Sequence, residues 1–218
     1  MNGRKAHQEK TRIRLLTSAS RIFAEKGFQD ATIAEICEQA GANIASVNYY
    51  FGSKDTLYLE SWRFAFNREL LLYPSEAGLP VNANAEQRLE KWIKSLIKRI
   101  ADDHSYSFAI LHREMAQPTR LLSDIVEKEI NPQRLLIFKL LKECLGKSVS
   151  DQQLQYCHAS IMGQCFQLLR LRHMNRVRAN REPPIDLSDI EAFAEHVVQF
   201  SLAGIRAIRA TLENTVNQ

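Results

Sequence analysis

Ser46, Asn48 and Tyr49 stand on one side of a short helical pattern, IASVNYYF, whose apolar side is read as Ile44 and Val47. Short or flat polar groups gathered on one helix face suit hydrogen bonding to phosphate oxygens and to base edges. The elements that must position them can be read on either side. Asn43 is a capping residue for this helix. Ahead of it, Thr32 with Glu35 three residues on has the spacing of a capping box. Ile33, Ile36, Cys37 and Ala40 follow at helical spacing and give a first short helix one apolar face. Gly41 supplies the left-handed backbone position that ends it. Two short helices joined by a glycine turn form a helix-turn-helix, and the second has the dimensions to enter a DNA major groove.

No other cluster carries chemistry as clearly. There is no pairing of nucleophile and base, no Gly-rich phosphate loop and no metal-ligand spacing, so neither a catalytic centre nor a cofactor is called for. Cys144, Cys157, His158 and Cys165 are the one group to test as a metal or redox site. They include no C-x-x-C, and a single helix cannot converge three ligands from these positions. They read as small buried residues.

Length and composition agree with a helical globular protein. The chain has 218 residues, enough for one large domain or two small ones, with only 8 Gly and 6 Pro. The net charge of +4 is mild, so its distribution matters more than its size. Arg4, Lys5, Lys10, Arg12 and Arg14 face one acid, Glu9, at the N-terminus. Such an arm suits phosphate contacts, although a solvated tail has the same composition. The N-terminus has no apolar signal region, and no apolar run is long enough to span a membrane. With four cysteines set in helical patterns, this predicts reduced thiols and a cytoplasmic location.

In chain order, a first helix is expected from about Glu9 to Lys26, buried through Leu15, Ala19, Ile22 and Phe23 and stopped at Gly27, with Phe28 packing back on it. After the helix-turn-helix, Gly52 breaks the chain, Ser53 caps, and a helix from Lys54 to about Tyr73 carries Leu57, Leu59, Trp62, Phe66 and Leu70. PSEAGLPVNAN, from Pro74 to Asn84, is a linker. A helix then runs from Asn84 to about Asp103, and a short one lies near Ser107 to Met115. Pro118 is expected to open a long helix that Pro132 kinks or splits before it resumes to Leu145. Ser150 with Gln153 opens a helix to about Val177, and Ser188 with Glu191 opens the last, to about Leu212. Five arginines lie between Arg170 and Arg181, read as a solvated loop or a second basic patch.

The order helix, Gly27-Phe28, Thr32, Ile36, Ala40-Gly41, Tyr49-Tyr50-Phe51, Ser53-Lys54 and Leu57 resembles the DNA-binding domain of the TetR family of transcriptional regulators. Ala42-Asn43-Ile44-Ala45 with Tyr49-Tyr50-Phe51-Gly52-Ser53-Lys54 further resembles its CecR-type subgroup. The resemblance covers roughly residues 9 to 60. It implies an all-α fold of about nine helices: a three-helix helix-turn-helix domain, residues 1–53, and a helical effector-binding and dimerisation domain, residues 54–218.

Carried over position by position, the resemblance gives Thr32 and Lys54 to phosphates. It lays Tyr49 along the backbone and turns Asn43, Ala45, Ser46 and Asn48 to the groove. Tyrosine is usual where Asn48 stands, and an asparagine there can read an adenine edge instead. Tyr50 is divided between the interface and the core, whereas Phe51 reads as core. The last two helices are expected to pair with a second copy, through a band of Ile190, Phe193, Ala194, Val197, Val198, Ser201, Leu202, Gly204 and Ile205, with Ile161, Leu168 and Leu169 adding surface; the alternative is a last helix buried on all sides within one subunit. A palindromic double-stranded DNA operator asks for the same two-fold partner. The family's small-molecule effector pocket draws on Trp62, Phe66, Phe108, His112, Arg113, Met115, Tyr156, Met162 and Phe166, which equally fit plain core or, for His112-Arg113-Glu114, a solvated face.

The expected function is therefore a ligand-responsive, dimeric DNA-binding regulator, a repressor released from its operator by a small molecule. The alternatives are a helical protein-protein adaptor and, lower, an enzyme using the helical body.

Overall fold

The computed structural model describes residues 2–75, 78–177 and 187–216. Among them every regular element is helical: α1 (Asn2–Asp30), α2 (Ile33–Ala40), α3 (Ile44–Phe51), α4 (Lys54–Leu72), α5 (Ala85–Ala101), α6 (Tyr106–Ala116), α7 (Leu122–Ile125), α8 (Asn131–Leu145), α9 (Asp151–Val177) and α10 (Ile190–Val216). A π-helical turn, Val126–Ile130, joins α7 to α8 in one continuous run. Nine helical runs result among the described residues. None of these helices is long and apolar enough to cross a membrane.

Two differences from expectation have local causes. The helix foreseen at Pro118 begins only at Leu122, because Glu114 holds the preceding connection, accepting the Thr119 N–H at 2.8 Å. Pro132 does not split the run. A proline has no N–H to return to the residue four before it, and here the turn ahead of it widens, with the Asn131 N–H bonding to the Val126 carbonyl.

The chain forms two compact units, residues 1–71 with 103–131, and residues 72–102 with 132–218. In the first, Leu15, Leu16, Ala19, Ile22 and Phe23 make the buried stripe of α1 and meet Ile36, Val47 and Phe51 from the helix-turn-helix. Helix α1 starts earlier than expected, at Asn2, and breaks at Gly27. There φ is 80° and ψ is 176°, a backbone region open essentially to glycine. The break turns Phe28 back onto Phe23, at 6.4 Å between ring centroids, and onto the edge of Tyr58, at 5.1 Å.

The buried face of α4 keeps Leu57 and Trp62 of the series read from the sequence and departs from it at the other positions. Tyr58, Ser61, Trp62, Ala65 and Glu69 are buried, while Leu59, Phe66 and Leu70 are half-buried. Steps of three and four residues still place these five on one stripe. Serine fits there because it allows close approach: the Ser20 hydroxyl donates to the Ser61 carbonyl oxygen at 2.9 Å.

In the second unit, α5 and α10 run antiparallel. Glu86 pairs with Arg206 at 2.6 Å, Lys94 with Glu195 at 2.6 Å and Lys98 with Glu191 at 2.7 Å, in opposite sequence order on the two helices. Leu89, Ile93 and Ile97 of α5 face the core with Ile161, Cys165 and Leu168 of α9 and Ala194 and Val197 of α10. The Asp189 carboxylate caps α10 by accepting the Ala192 N–H at 2.9 Å.

All four cysteines are buried free thiols. Burial pushes Cys165 up to about 12 and Cys144 up to about 11, so neither is a ready thiolate at neutral pH. Burial also lowers His158, with Arg134 adding to the effect, and its ring packs 5.0 Å from that of Phe138.

Candidate nucleic-acid interface

The capping box and the glycine turn of the helix-turn-helix form as their spacing demands. The Thr32 hydroxyl accepts the Glu35 N–H at 3.2 Å, and the Glu35 carboxylate accepts the Thr32 N–H at 3.1 Å. Glu35 also binds Lys26 at 2.5 Å. That contact and the bonds from Thr32 hold its carboxyl below the usual range. The Thr32 hydroxyl is thus committed to the cap, and the free groups at this helix start are the amides of Ile33 and Ala34. Gly41 takes the left-handed conformation, φ 58° and ψ 43°, and turns the chain into α3.

On α3 the Asn43 side chain is the cap. Its Oδ1 accepts the Ser46 N–H at 2.8 Å and the Ser46 hydroxyl at 2.9 Å. Val47 and Phe51 are buried, at 1% and 6% exposure, and Tyr50 is half-buried. Ala45, Asn48 and Tyr49 are exposed on the opposite side, and Tyr49 lies edge-on to Tyr50 at 4.9 Å. Ile44 departs from the sequence reading. It is 54% exposed rather than part of the apolar side, because the first residue of α3 lies beyond the reach of the small core that Val47 and Phe51 close.

The cations near this face are partly engaged. Lys54 Nζ donates to the Gln29 carbonyl oxygen at 3.3 Å and lies 4.7 Å from the centre of the Phe28 ring. An ammonium has three donors, so this geometry leaves Lys54 able to hold a phosphate as well. Arg12 pairs with Glu60 at 3.1 Å and covers the Phe51 ring at 5.7 Å, a structural role inside the unit. Lys10 and Arg14 are exposed. The side chains of Arg4 and Lys5 lie outside the described residues, as do residues 178–181 of the arginine-rich stretch, whose earlier part belongs to α9.

The same unit holds a polar cluster that sequence reasoning did not find. Buried Glu114 of α6 accepts the Tyr58 hydroxyl at 2.5 Å and the Thr119 hydroxyl at 2.9 Å. Burial first, then the Glu114 carboxylate, pushes the Tyr58 phenol well above its usual range. Buried Glu69 accepts the Ser107 N–H at 3.0 Å and its hydroxyl at 2.5 Å, and Trp62 Nε1 donates to the Ser107 carbonyl oxygen at 3.0 Å. Arg113, next to Glu114, bonds the carbonyl oxygens of Ala24 and Glu25 in α1. Neither glutamate is flagged by its own sequence neighbours, because its donors come from other helices. The stripe from Tyr58 to Glu69 at helical spacing was the one available signal.

The effector candidates fall in both units. Trp62 and Phe108 are buried, Phe66 stacks on Trp62 at 4.8 Å, and His112, Arg113 and Met115 are exposed in the first unit. In the second, Met162 and Phe166 are half-buried. Tyr156, 62% exposed, lines a groove between α9 and α10 with Cys157, Phe200, Gly204 and Ile205. Ile161 and Leu168 of α9, and Ala194, Val197, Val198, Ser201, Leu202 and Ile205 of α10, expected to face a second copy, are instead buried within their own unit, where α5 and α9 pack on α10, and the exposed aromatic of α10 is Phe200.

Residues 15–60 match the family described as bacterial regulatory proteins, tetR family, and residues 85–205 match the C-terminal domain of the HTH-type transcriptional dual regulator CecR. The chain belongs to the TetR family, with a C-terminal domain of the CecR type. It is 29% identical over 164 residues to the HTH-type transcriptional dual regulator CecR of Shigella flexneri, covering 70% of this chain and 73% of that one. It is 25% identical over 215 residues to the HTH-type transcriptional repressor NicS of Pseudomonas putida, 92% and 93% of the two chains. A TetR-like transcriptional regulator from Rhodococcus sp. RHA1 has the same fold, with a TM-score of 0.65 at 18% identity over 90% of this chain and 96% of that one. This TetR-family chain is a DNA-binding transcriptional regulator and not an enzyme.

Proposed function

We propose that the protein is a homodimeric repressor whose α3 helices read a palindromic operator and whose C-terminal part binds a small-molecule effector that releases it. The reading rests above all on α3, whose exposed side presents Ala45, Asn48 and Tyr49 while its caps and core contacts are all internal. Asn48 is the group to read an adenine edge, and Tyr49 lies along the backbone. Tyr50, half-buried, supports Tyr49 from behind. Asn43 and Ser46 act through the cap they share. Phosphates meet Lys54 and the amides that follow Thr32, with Lys26 neutralising Glu35. Residues 1–53 are the DNA-binding part and residues 54–218 the effector and dimer part, and the protein works beside the chromosome in the cytoplasm.

The groove between α9 and α10 supports the dimer. It is lined mainly by apolar groups and flanked by Phe200, 65% exposed, and Tyr156. A second copy related by a two-fold axis would cover both aromatics at once. The relative named as a repressor, matched over nearly the whole length, favours repression. Of the effector candidates, Trp62, Phe66 and Phe108 of the first unit offer apolar contact with His112, Arg113 and Met115 as exposed ends, and Met162 and Phe166 of the second unit offer apolar contact there.

Transcription from the promoter beside its own gene, with purified polymerase and increasing amounts of the protein, tests the repressor role. A falling transcript level supports it. A rising or unchanged level, with DNA binding verified in the same tube, overturns it.

A further inference from the structure

We propose that Ile44 is a specificity residue that reads the C5-methyl group of a thymine in each operator half-site. The inference rests on DNA reading by α3 and names one base contact within it. Ile44 is the first residue of α3, and helix-turn-helix proteins present the N-terminal residues of this helix to base edges. It is 54% exposed, so it is not held by the core.

Asn43 Oδ1 is held in the cap, where it takes both the amide and the hydroxyl of Ser46. The exposed residues of α3 itself are Ile44, Ala45, Asn48 and Tyr49. Ile44 and Asn48 are one turn apart, side by side on the same face. A branched aliphatic group has no hydrogen bond to offer. In the major groove its complement is the thymine methyl, the one apolar feature on otherwise polar base edges. Contact between the two removes apolar surface from water on both sides. With Asn48 matched to adenine beside it, α3 selects a half-site whose centre is rich in A·T pairs.

The test begins with duplexes selected from a randomised pool by the full-length protein. Each thymine of the selected operator is then replaced by uracil, which keeps the pairing edge and the O4 acceptor and removes only the methyl group. Wild type is expected to lose roughly fourfold in affinity at one uracil position per half-site. Ile44→Ala, which removes the contact from both half-sites of the dimer, is expected to bind the thymine operator roughly sixteenfold more weakly and to ignore the replacement at that position. Melting by circular dichroism checks that the variant is folded, as substitution of an exposed residue predicts. A flat uracil scan with wild type, or an equal uracil loss with Ile44→Ala, overturns the contact while sequence-selective binding stands. Selection that enriches no sequence overturns the DNA reading itself and the contact with it.

Discussion

Arg113 Nε donates to the Ala24 carbonyl oxygen at 2.7 Å, tying α6 to the last turn of α1 before it breaks at Gly27. The same guanidinium bonds the Glu25 carbonyl oxygen. Carbonyls near the end of a helix run out of helical N–H partners, and a planar fork with several donors can serve two of them together. Arg113→Ala is expected to lower stability by about 1 kcal/mol in urea unfolding. Arg113→Lys should recover only part of it, because a point ammonium cannot reproduce both directions. Equal stability of wild type and Arg113→Ala would show that the contact holds nothing in place.

Tyr58 and Glu114 form a second tie between α4 and α6. Tyr58→Phe leaves a buried carboxylate one donor short and should cost about 1–2 kcal/mol at neutral pH. The folded phenol is raised, so its contribution is intact below about pH 10, where the unfolded phenol ionises, and is lost as pH rises further toward the folded value. The gap in stability between wild type and Tyr58→Phe should therefore narrow above pH 10. Chemical unfolding across that range measures it, and a constant gap would contradict the assignment.

Phe200 lies at the edge of the groove between α9 and α10. Size-exclusion chromatography with light scattering should give about twice the 25.0 kDa chain mass for wild type. Phe200→Glu places a charge where a two-fold partner would sit and should shift the protein to monomer with its helical content unchanged. A wild-type monomer at micromolar concentration contradicts the dimer, and an undisturbed Phe200→Glu dimer contradicts this face.

Much of the fold is legible in the sequence because its signals are local. Thr32 with Glu35, Asn84 with Gln87, and the left-handed glycines Gly41 and Gly146 mark helix ends through bonds that span only a few residues. The sequence fails where a residue's partner is distant. Glu69 and Glu114 are buried only because Ser107, Tyr58 and Thr119 reach them from other helices. Ile44 fails in the opposite sense. Its spacing from Val47 suits an apolar stripe, but a stripe is buried only where a neighbouring element covers it, and the short core ends before the first turn of α3. The π-turn before Pro132 is a third case, since a proline reads as a break whether the backbone ends or widens.

Sequence-selective DNA reading by α3 with Lys54 on a phosphate is tested most directly by fluorescence anisotropy with duplexes flanking the protein's own gene. Wild type should bind one of these duplexes well above random DNA, with affinity falling steeply as salt rises. Tyr49→Ala should weaken binding, and Lys54→Ala should reduce the salt slope by about one per subunit. Binding no stronger than to random DNA at low salt, by a protein shown in the same buffer to be dimeric, would contradict it.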